Sequence, residues 1–216
     1  MKIAKGSKSW IFAAFSGFLI FTILSFFPWQ IVFQSISLLI SVVFIFLMIF
    51  FLVFFRDPDR KTGNGFVAVA DGKIREISKI KDKDLGDCIK ISTFMNVYNV
   101  HVNRMPFDGV VKDIKHINGS YLPAFRKESE KNERTILLIE SSIGMVKIIQ
   151  IAGTLARRIV NYVKSGDKLK KGDKIGIIRL GSRVDVYIKS EKVKKLKIKE
   201  KSRVFAGESV IAEIND

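Results

Sequence analysis

The segment IIRLGSRVDVY, residues 177–187, combines strand-forming residues with a Gly-Ser pair at its centre. Ile, Val and Tyr are typical of strands, and apolar and polar residues alternate after Ser182. Gly181-Ser182 is explained most simply as a turn, because both residue types are common in turns. A serine after glycine can also attack the preceding carbonyl group, since glycine offers no side chain in the way and permits a strained backbone. The segment predicts β-structure and leaves Ser182 as either a turn residue or a nucleophile.

Short alternating segments of the same kind continue from Gly65 to the C-terminus, separated by Gly, Asp and Asn. ADG at 70–72 is typical of a hairpin turn, and TLARRIVNYV at 154–163 fits either a helix or a strand. SGDKLKKGDKIGII (165–178) and KSRVFAGESVIAEI (201–214) are loosely similar, each with a Gly-Asp or Gly-Glu turn before a strand. We therefore expect a mainly β, compact, barrel-sandwich-like domain with quasi-repeated hairpins.

Two uncharged apolar runs precede this domain, at residues 10–27 and 31–55. As helices they would reach about 27 and 38 Å, against a bilayer core of about 30 Å. Pro28 separates them, and Trp10 and Trp29 lie at the ends of the first run, where membrane-interface aromatics belong. The pattern predicts an N-terminal hydrophobic helical hairpin. A hairpin that enters the membrane without crossing it is the structural alternative.

Charge is divided between the two parts of the chain, which has a net charge of +16. Residues 1–55 contain three lysines and no acidic residue, whereas residues 56–216 contain 34 basic and 21 acidic residues. We therefore expect a membrane anchor at 1–55 and a basic domain at 56–216. The basic flanks of the hairpin place this domain on the cytoplasmic side of the cell membrane, where anionic headgroups would attract it. No basic helix or aromatic-interleaved motif indicates a nucleic-acid partner.

Two histidines and one aspartate are the candidates for proton transfer. His101, in NVHVNRMP, is either a structural residue at a strand end or the proton carrier near neutral pH. Asp71 is either a turn residue or a carboxylate that acts as a base or orients His101. His116 fits an exposed strand or loop position. No Cys/His cluster has metal-ligand spacing, so no metal site is expected.

Several other polar or reactive residues have plain structural interpretations. Cys88 is the one cysteine, cannot form an internal disulfide, and fits a small buried hydrophobic position. Residues 132–134 (Asn-Glu-Arg) are consistent with the start of a strand. Arg157 and Arg158 are either a solvated pair or a phosphate clamp.

Taken in order, the motifs of residues 54–216 resemble those of one family, the small, single-domain form of phosphatidylserine decarboxylase. The resemblance is carried by FFRDPDR (54–60), VAVADGKI (67–74), FMNVYNVHVNRMPFDGVV (94–111), NER (132–134), QIAGTLARRIV (150–160), GDKLKKGDKIGIIRLGSRVDVY (166–187) and VFAGESVIA (204–212). Each motif alone is weak, but the ordered series that ends in Gly-Ser-Arg-Val-Asp is specific.

The resemblance implies a proenzyme that cuts itself between Gly181 and Ser182. The products would be a large chain, 1–181, with the membrane anchor, and a small chain, 182–216, that begins with a pyruvoyl group made from Ser182. This covalent group would form a Schiff base with the amine of phosphatidylserine and accept electrons as carbon dioxide leaves, which yields phosphatidylethanolamine. The two chains would stay together as a heterodimer, because the small one is too short to fold alone. Further association through sheet edges is left open.

The resemblance also implies roles for individual residues. Ser182 matches the cleavage nucleophile, Asp71 the aspartate that supports self-cleavage, and His101 the first histidine of a His-x-x-His-Met-Pro pattern associated with decarboxylation. The sequence departs from that pattern at Arg104, where the second histidine is expected. Arginine cannot act as a base near neutral pH. The candidates for the base of self-cleavage are therefore Asp71 acting directly and His101 acting in both steps.

Two alternatives accompany this interpretation. The quasi-repeated hairpins also suit a non-enzymatic, membrane-anchored barrel-sandwich module of the carrier or adaptor kind. A family member could also act on an ether-linked serine lipid, since the headgroup chemistry would be the same.

Overall fold

The computed structural model describes residues 2–28, 30–120, 131–153, 158–179 and 182–215. The chain divides into two compact units, Met1–Pro58 and Asp59–Asp216. The fold is mainly β, as predicted, with 44% of residues in strands and 23% in helices.

The first unit is a pair of apolar helices closed by a short pair of strands. Its elements are β1 (Lys2–Ile3), α1 (Lys8–Ser25), α2 (Ile31–Phe54) and β2 (Arg56–Asp57). β1 and β2 pair antiparallel, so the two ends of the hairpin meet. Both helices are long and apolar enough to cross a membrane, as judged by length and composition. Relative to the predicted runs, α1 begins and ends two residues earlier, and α2 ends one residue earlier.

Small and aromatic residues hold the two helices together. A Cβ atom on Gly17 would come within about 2.5 Å of the ring of Phe44, so only glycine permits this approach. Phe21 stacks on the same ring with centroids 5.7 Å apart. The hydroxyl groups of Thr22 and Ser41 are 2.6 Å apart and satisfy each other in an apolar surrounding. Trp29, predicted to lie at the membrane interface, lies outside the described residues.

The second unit contains fourteen strands among the residues that the structure describes. In chain order they are β3 (Phe66–Val67), β4 (Gly72–Asp82), β5 (Gly86–Met95), β6 (Val102–Arg104), β7 (Gly109–Ile117), β8 (Arg134–Ser141), β9 (Gly144–Ala152), β10 (Ile159–Asn161), β11 (Lys168–Leu169), β12 (Lys174–Ile178), β13 (Ser182–Lys189), β14 (Val193–Leu196), β15 (Arg203–Val204) and β16 (Val210–Ile214).

These strands form one large curled sheet and two small ones. The eight-stranded sheet has the order β11-β7-β8-β9-β13-β5-β4-β15, and the small sheets have the orders β10-β12-β6 and β14-β16-β3. All of these pairings are antiparallel. β13 lies between β9 and β5 and pairs with both along almost its whole length. The strand that begins at Ser182 is therefore a central strand of the large sheet.

The two faces of β13 differ in character because side chains alternate along a strand. Val184, Val186 and Ile188 belong to the main hydrophobic core. The opposite face carries Arg183 and Asp185, which are nevertheless almost fully buried. The large sheet is therefore covered on one face by the core and carries buried polar groups on the other.

One local prediction is corrected by the structure, and one alternative that the sequence left open is decided in favour of a strand. ADG at 70–72 is not a hairpin turn: it joins β3 to β4, which belong to different sheets. The Ala-Asp-Gly pattern is misleading because Asp71 is held by Arg60 and by the N–H of Ala206 rather than by a local turn. The C-terminal part of the segment 154–163 forms β10 and not a helix, while residues 154–157, including Arg157, lie outside the described residues.

The similarity between the segments 165–178 and 201–214 is confirmed as a repeated local structure. Each has a two-residue strand, a turn and a five-residue strand, namely β11 and β12, then β15 and β16. The turn glycines, Gly172 and Gly207, both have positive φ, at 90° and 78°. The prediction for Cys88 is also confirmed, since it is fully buried.

Candidate active site

Ser182 is fully buried at the first position of β13. Its register partners are Met95 at the end of β5 and Ala152 at the end of β9. The Ser182 hydroxyl donates to Met95 Sδ at 3.3 Å, and a thioether sulfur is a weak acceptor. Gly181 lies outside the described residues. Among the described residues, the hydroxyl of Ser182 has this weak partner, so it can change its contacts there without breaking a strong hydrogen bond.

Three buried amide side chains surround this end of the sheet. Asn103 Nδ2 donates to the same Met95 sulfur at 3.8 Å, and Gln150 Nε2 donates to Asn103 Oδ1 at 2.7 Å. Asn132 Nδ2 donates to the carbonyl of Ala152 at 2.8 Å. All three amides are fully buried. They provide fixed dipoles where β5, β6, β9 and β13 meet.

Asp71 is held by a buried ion pair and a backbone hydrogen bond. Arg60 Nη2 donates to Asp71 Oδ2 at 2.8 Å, and the side chains of the pair are 7% and 4% exposed. The backbone N–H of Ala206 donates to Asp71 Oδ1 at 2.8 Å. Within the part of the chain that the structure describes, the partners of this carboxylate are thus Arg60 and Ala206 rather than Ser182.

His101 is fully buried just before β6. Its Nδ1 lies 2.8 Å from the carbonyl oxygen of Asn99. Because a carbonyl can only accept a hydrogen bond, Nδ1 carries the proton in this contact, and Nε2 of the neutral ring is the basic nitrogen. Asn103, two residues further on, contacts Met95, so β6 brings this segment to the Ser182 end of the sheet.

Arg104 has a structural role in the fold. Its Nη1 donates to the carbonyl of Gly172 at 3.1 Å, and a Cβ atom on Gly207 would lie 3.0 Å from Arg104 Cδ. Arg104 therefore packs between the two repeated turns, next to the backbone that holds Asp71. An arginine here connects the turns but supplies no base.

Comparison with known proteins identifies the family. A family model described as phosphatidylserine decarboxylase matches residues 47–212. The chain belongs to the phosphatidylserine decarboxylase family. A relative from Methanococcoides burtonii, named as an archaetidylserine decarboxylase proenzyme, is 44% identical over 98% of this chain and 96% of its own. A relative of the same name from Methanosarcina acetivorans is 42% identical over 99% of this chain and 98% of its own length. A phosphatidylserine decarboxylase proenzyme from Thermobifida fusca is 40% identical over 87% of this chain and 82% of its own length.

The other predicted polar residues have different surroundings in this fold. His116 is paired with Glu133, with Nε2 3.6 Å from Oε1, and its side chain is 44% exposed. Arg158 is exposed, beside β10. The Asn-Glu-Arg motif does open a strand at Arg134, and Asn132 in addition reaches the Ser182 end through Ala152.

The polar face of β13 carries a second buried cluster. Arg183 Nη2 donates to Asp185 Oδ2 at 3.0 Å, and Lys90 Nζ lies 3.9 Å from the same oxygen. Burial raises the pKa of Asp185, while the charges of Arg183 and Lys90 act in the opposite direction. The cluster ties β13 to β5 independently of Ser182.

Sequence reasoning missed four residues of the candidate site: Arg60, Met95, Asn103 and Gln150. Each lies inside a motif that carried the family resemblance. The contact of Met95 with Ser182 joins residues that are 87 positions apart. Only the pairing of β5 with β13 brings them together.

Proposed function

We propose that the protein removes the carboxyl group of the serine headgroup of a membrane phospholipid, using a pyruvoyl group made from Ser182. Family membership supports the decarboxylase activity. The observation that carries the residue assignment is that Ser182, the residue after Gly181, is buried at the start of a central strand among fixed amides.

Self-cleavage would begin when Ser182 Oγ loses its proton and attacks the carbonyl carbon of Gly181. The peptide C–N bond breaks and an ester forms, which frees the Ser182 amine. Loss of the Ser182 Cα proton then expels Gly181 as a carboxylate and leaves a dehydroalanine. Addition of water and loss of ammonia convert that residue into the pyruvoyl group. No oxidant or reductant is needed at any step.

We assign the base of this reaction to His101 and a positioning role to Asp71. The contact of His101 Nδ1 with Asn99 leaves Nε2 as the basic nitrogen. The Asp71 carboxylate is engaged by the buried Arg60 and by the N–H of Ala206, so we assign it the role of an anchor for the segment at Ala206. This choice favours the second of the two candidates that the sequence left open.

The residues around Ser182 fit a small, polar carbonyl group. Asn103, Gln150 and Ser182 are fully buried, which excludes water from the reacting centre. Gln150 Oε1 has no hydrogen-bond partner among the described residues, so this acceptor is available to an N–H donor. When formed, the pyruvoyl carbonyl would supply the electron sink for loss of carbon dioxide.

The fold accounts for how two chains would remain together after the cut. The small chain, 182–216, would contribute β13 to the middle of the large sheet and β14, β15 and β16 to its surroundings. Leaving would require breaking the pairings with β5 and β9, so we propose a stable heterodimer of 1–181 and 182–216.

We place the soluble domain on the cytoplasmic face of the cell membrane. Lys2 and Lys5 precede α1, Lys8 is its first residue, and Arg56 follows α2. The pairing of β1 with β2 puts both flanks on one side. An excess of basic residues marks the cytoplasmic side. Lys5→Cys should react with a membrane-impermeant thiol reagent only when the cytoplasmic face is open to it.

An ether-linked serine lipid is a second candidate substrate. The relatives from Methanococcoides burtonii and Methanosarcina acetivorans are named as archaetidylserine decarboxylases. Because the reaction takes place at the headgroup, assays with diacyl and diether serine lipids should show the same chemistry. The ratio of kcat/KM values for the two lipids identifies the preferred tails.

The test compares the natural protein with Ser182→Ala, both purified in detergent. The natural protein should release carbon dioxide from a serine phospholipid and lose activity with hydroxylamine, which attacks carbonyl groups. Ser182→Ala should remain one chain and be inactive. Ser92→Ala is the matched control. Ser92, on β5, is buried like Ser182, but its side chain faces away from the main core. The Ser92→Ala variant should cut itself and catalyse the reaction normally. An active Ser182→Ala variant, or an active enzyme insensitive to hydroxylamine, would contradict the proposal.

A further inference from the structure

Exposed apolar side chains of the second unit lie at the Ser182 end of the large sheet. Among its described residues, the exposed large apolar side chains are Val97, Tyr98 and Phe205, with 46%, 56% and 43% of their surface accessible. Val97 and Tyr98 form the tip of the turn after β5, and Phe205 follows β15. Isolated exposed apolar residues are ordinary, but three at one end of a domain indicate a contact surface.

Basic residues line the cavities beside these apolar side chains. One cavity of about 280 Å³ is bordered by Lys73, Tyr98 and Arg203. A second, of about 310 Å³, is bordered by Lys73, Arg75 and Lys201. The strand register explains the grouping, since Arg203 on β15 pairs with Lys73 on β4. Glu200, the acid of the adjacent turn, accepts a hydrogen bond from the backbone of Ile77 at 3.3 Å.

The strands that position Ser182 also position these basic and apolar side chains. Lys73 pairs with Phe94, and the next residue of β5, Met95, pairs with Ser182. The tip that carries Val97 and Tyr98 is fixed, because Asn96 and Asn99 bond across it at 2.8 and 2.9 Å. The surface is therefore preformed and adjoins the candidate active site.

Lys201 is held in an unfavourable backbone conformation at this surface. Its φ of 71° makes it the one non-glycine residue with positive φ in the described part of the chain. Glycine would adopt this conformation without a side-chain clash. Residues kept in such conformations cluster at functional sites, so the charge of Lys201 is a candidate reason for its presence.

We propose that Lys73, Val97, Tyr98, Lys201, Arg203 and Phe205, here called the docking rim, insert into the headgroup layer of an anionic phospholipid bilayer. Cations would bind the lipid phosphates while the apolar tips enter the acyl boundary. The combination of charge and exposed apolar tips favours a bilayer over a purely polyanionic partner, and the chain also carries two helices long enough to span one. The inference extends the proposed function, because it names the surface through which lipid headgroups would reach the Ser182 end.

The experiment uses the full chain reconstituted into vesicles, with an environment-sensitive fluorophore on Val97→Cys. Natural Cys88 is fully buried and so is protected from the labelling reagent. On vesicles that contain phosphatidylglycerol the emission should shift to the blue and be quenched by lipids that carry a headgroup-level quencher. On pure phosphatidylcholine both effects should be weak. A label on Lys83→Cys, at the far end of β4, should stay in water on both.

Charge reversal provides the decisive comparison. Lys73→Glu/Lys201→Glu should lower the docking equilibrium constant by at least roughly twenty-five-fold, since each of the two cations near an anionic bilayer contributes about a factor of five. Lys79→Glu/Lys81→Glu, the same charge change at the other end of β4, should have little effect. Lys201→Gly relieves the backbone and removes the charge, so it should weaken docking without loss of thermal stability.

Three results would overturn the proposal: a label at Val97 that stays in water on both kinds of vesicle, a shift unchanged by Lys73→Glu/Lys201→Glu, or an equal shift in detergent, which would indicate a protein contact. The fluorescence readout requires no turnover and works in Ser182→Ala. Failure of docking is therefore distinguishable from failure of the proposed decarboxylase activity.

Discussion

The ion pair between Arg60 and Asp71 should be the strongest stabilising charge pair that joins the segment after the helices to the β-domain. Arg60→Met would leave the carboxylate of Asp71, only 4% exposed, with the N–H of Ala206 as its described partner. Removing one partner of a buried pair costs about 3–5 kcal/mol. Because that backbone hydrogen bond remains, we expect a loss of about 3 kcal/mol, near the lower limit of that range. For a domain of this size, the melting temperature should fall by about 6–12 °C.

The assay is a double-mutant cycle of Arg60→Met and Asp71→Asn in the Ser182→Ala background, so that cleavage does not alter the chain during unfolding. Asn keeps an oxygen for the Ala206 N–H and removes the charge. Denaturant unfolding in detergent should give a coupling energy of about 2 kcal/mol or more.

A surface pair provides the matched control. Lys112 and Glu140 are 2.6 Å apart, but their side chains are 49% and 56% exposed. Solvent screening limits such a pair to about 1 kcal/mol or less, so Lys112→Met/Glu140→Gln should show little coupling. Coupling between Arg60 and Asp71 no larger than in this control would refute the assignment of Arg60 as the anchor of Asp71.

Three further predictions follow from contacts away from Ser182. Lys147→Met should lower the free energy of unfolding by about 2–3 kcal/mol at neutral pH, because it breaks a buried contact of 2.6 Å with Asp82. Burial alone would raise the pKa of Asp82, but the hydrogen bond and charge of Lys147 hold it below its ordinary value. The stability difference should therefore shrink in denaturation curves as pH falls through that lowered pKa. Gly207→Ala should cost about 1–2 kcal/mol in the same assay, because φ is 78° and the new Cβ would meet Arg104 Cδ at 3.0 Å; an unchanged midpoint would contradict this. Burial raises the pKa of Asp185, so the folded protein favours the protonated carboxyl group and loses stability as pH rises through that pKa. Asp185→Asn should therefore become more stable relative to the natural protein over the same rise in pH. A stability difference independent of pH would contradict the raised pKa.

The helices and the β-character could be predicted from the sequence because both depend on local patterns. Long apolar runs and a proline between them define α1 and α2 within two residues. Alternation in the segments after Gly65 predicts strands. The hairpin predicted at 70–72 was wrong because turn signals do not reveal which strands pair, and β3 and β4 pair in different sheets.

The candidate site could be predicted only in part. Motifs identify Ser182, His101 and Asp71, but the contacts of Ser182 with Met95 and of Asp71 with Ala206 join distant segments. Arg60 reaches Asp71 from the FFRDPDR motif, and Arg104 packs between turns more than 60 residues away. Such contacts depend on sheet order and register, which local periodicity does not encode.

Intact-mass spectrometry of the active, purified protein tests the central claim most directly. We expect two chains, one ending at Gly181 and one beginning at residue 182, with the mass of the smaller chain reduced as expected for a serine converted into a pyruvoyl group. An active preparation that contains a single uncut chain with an ordinary Ser182 would contradict it.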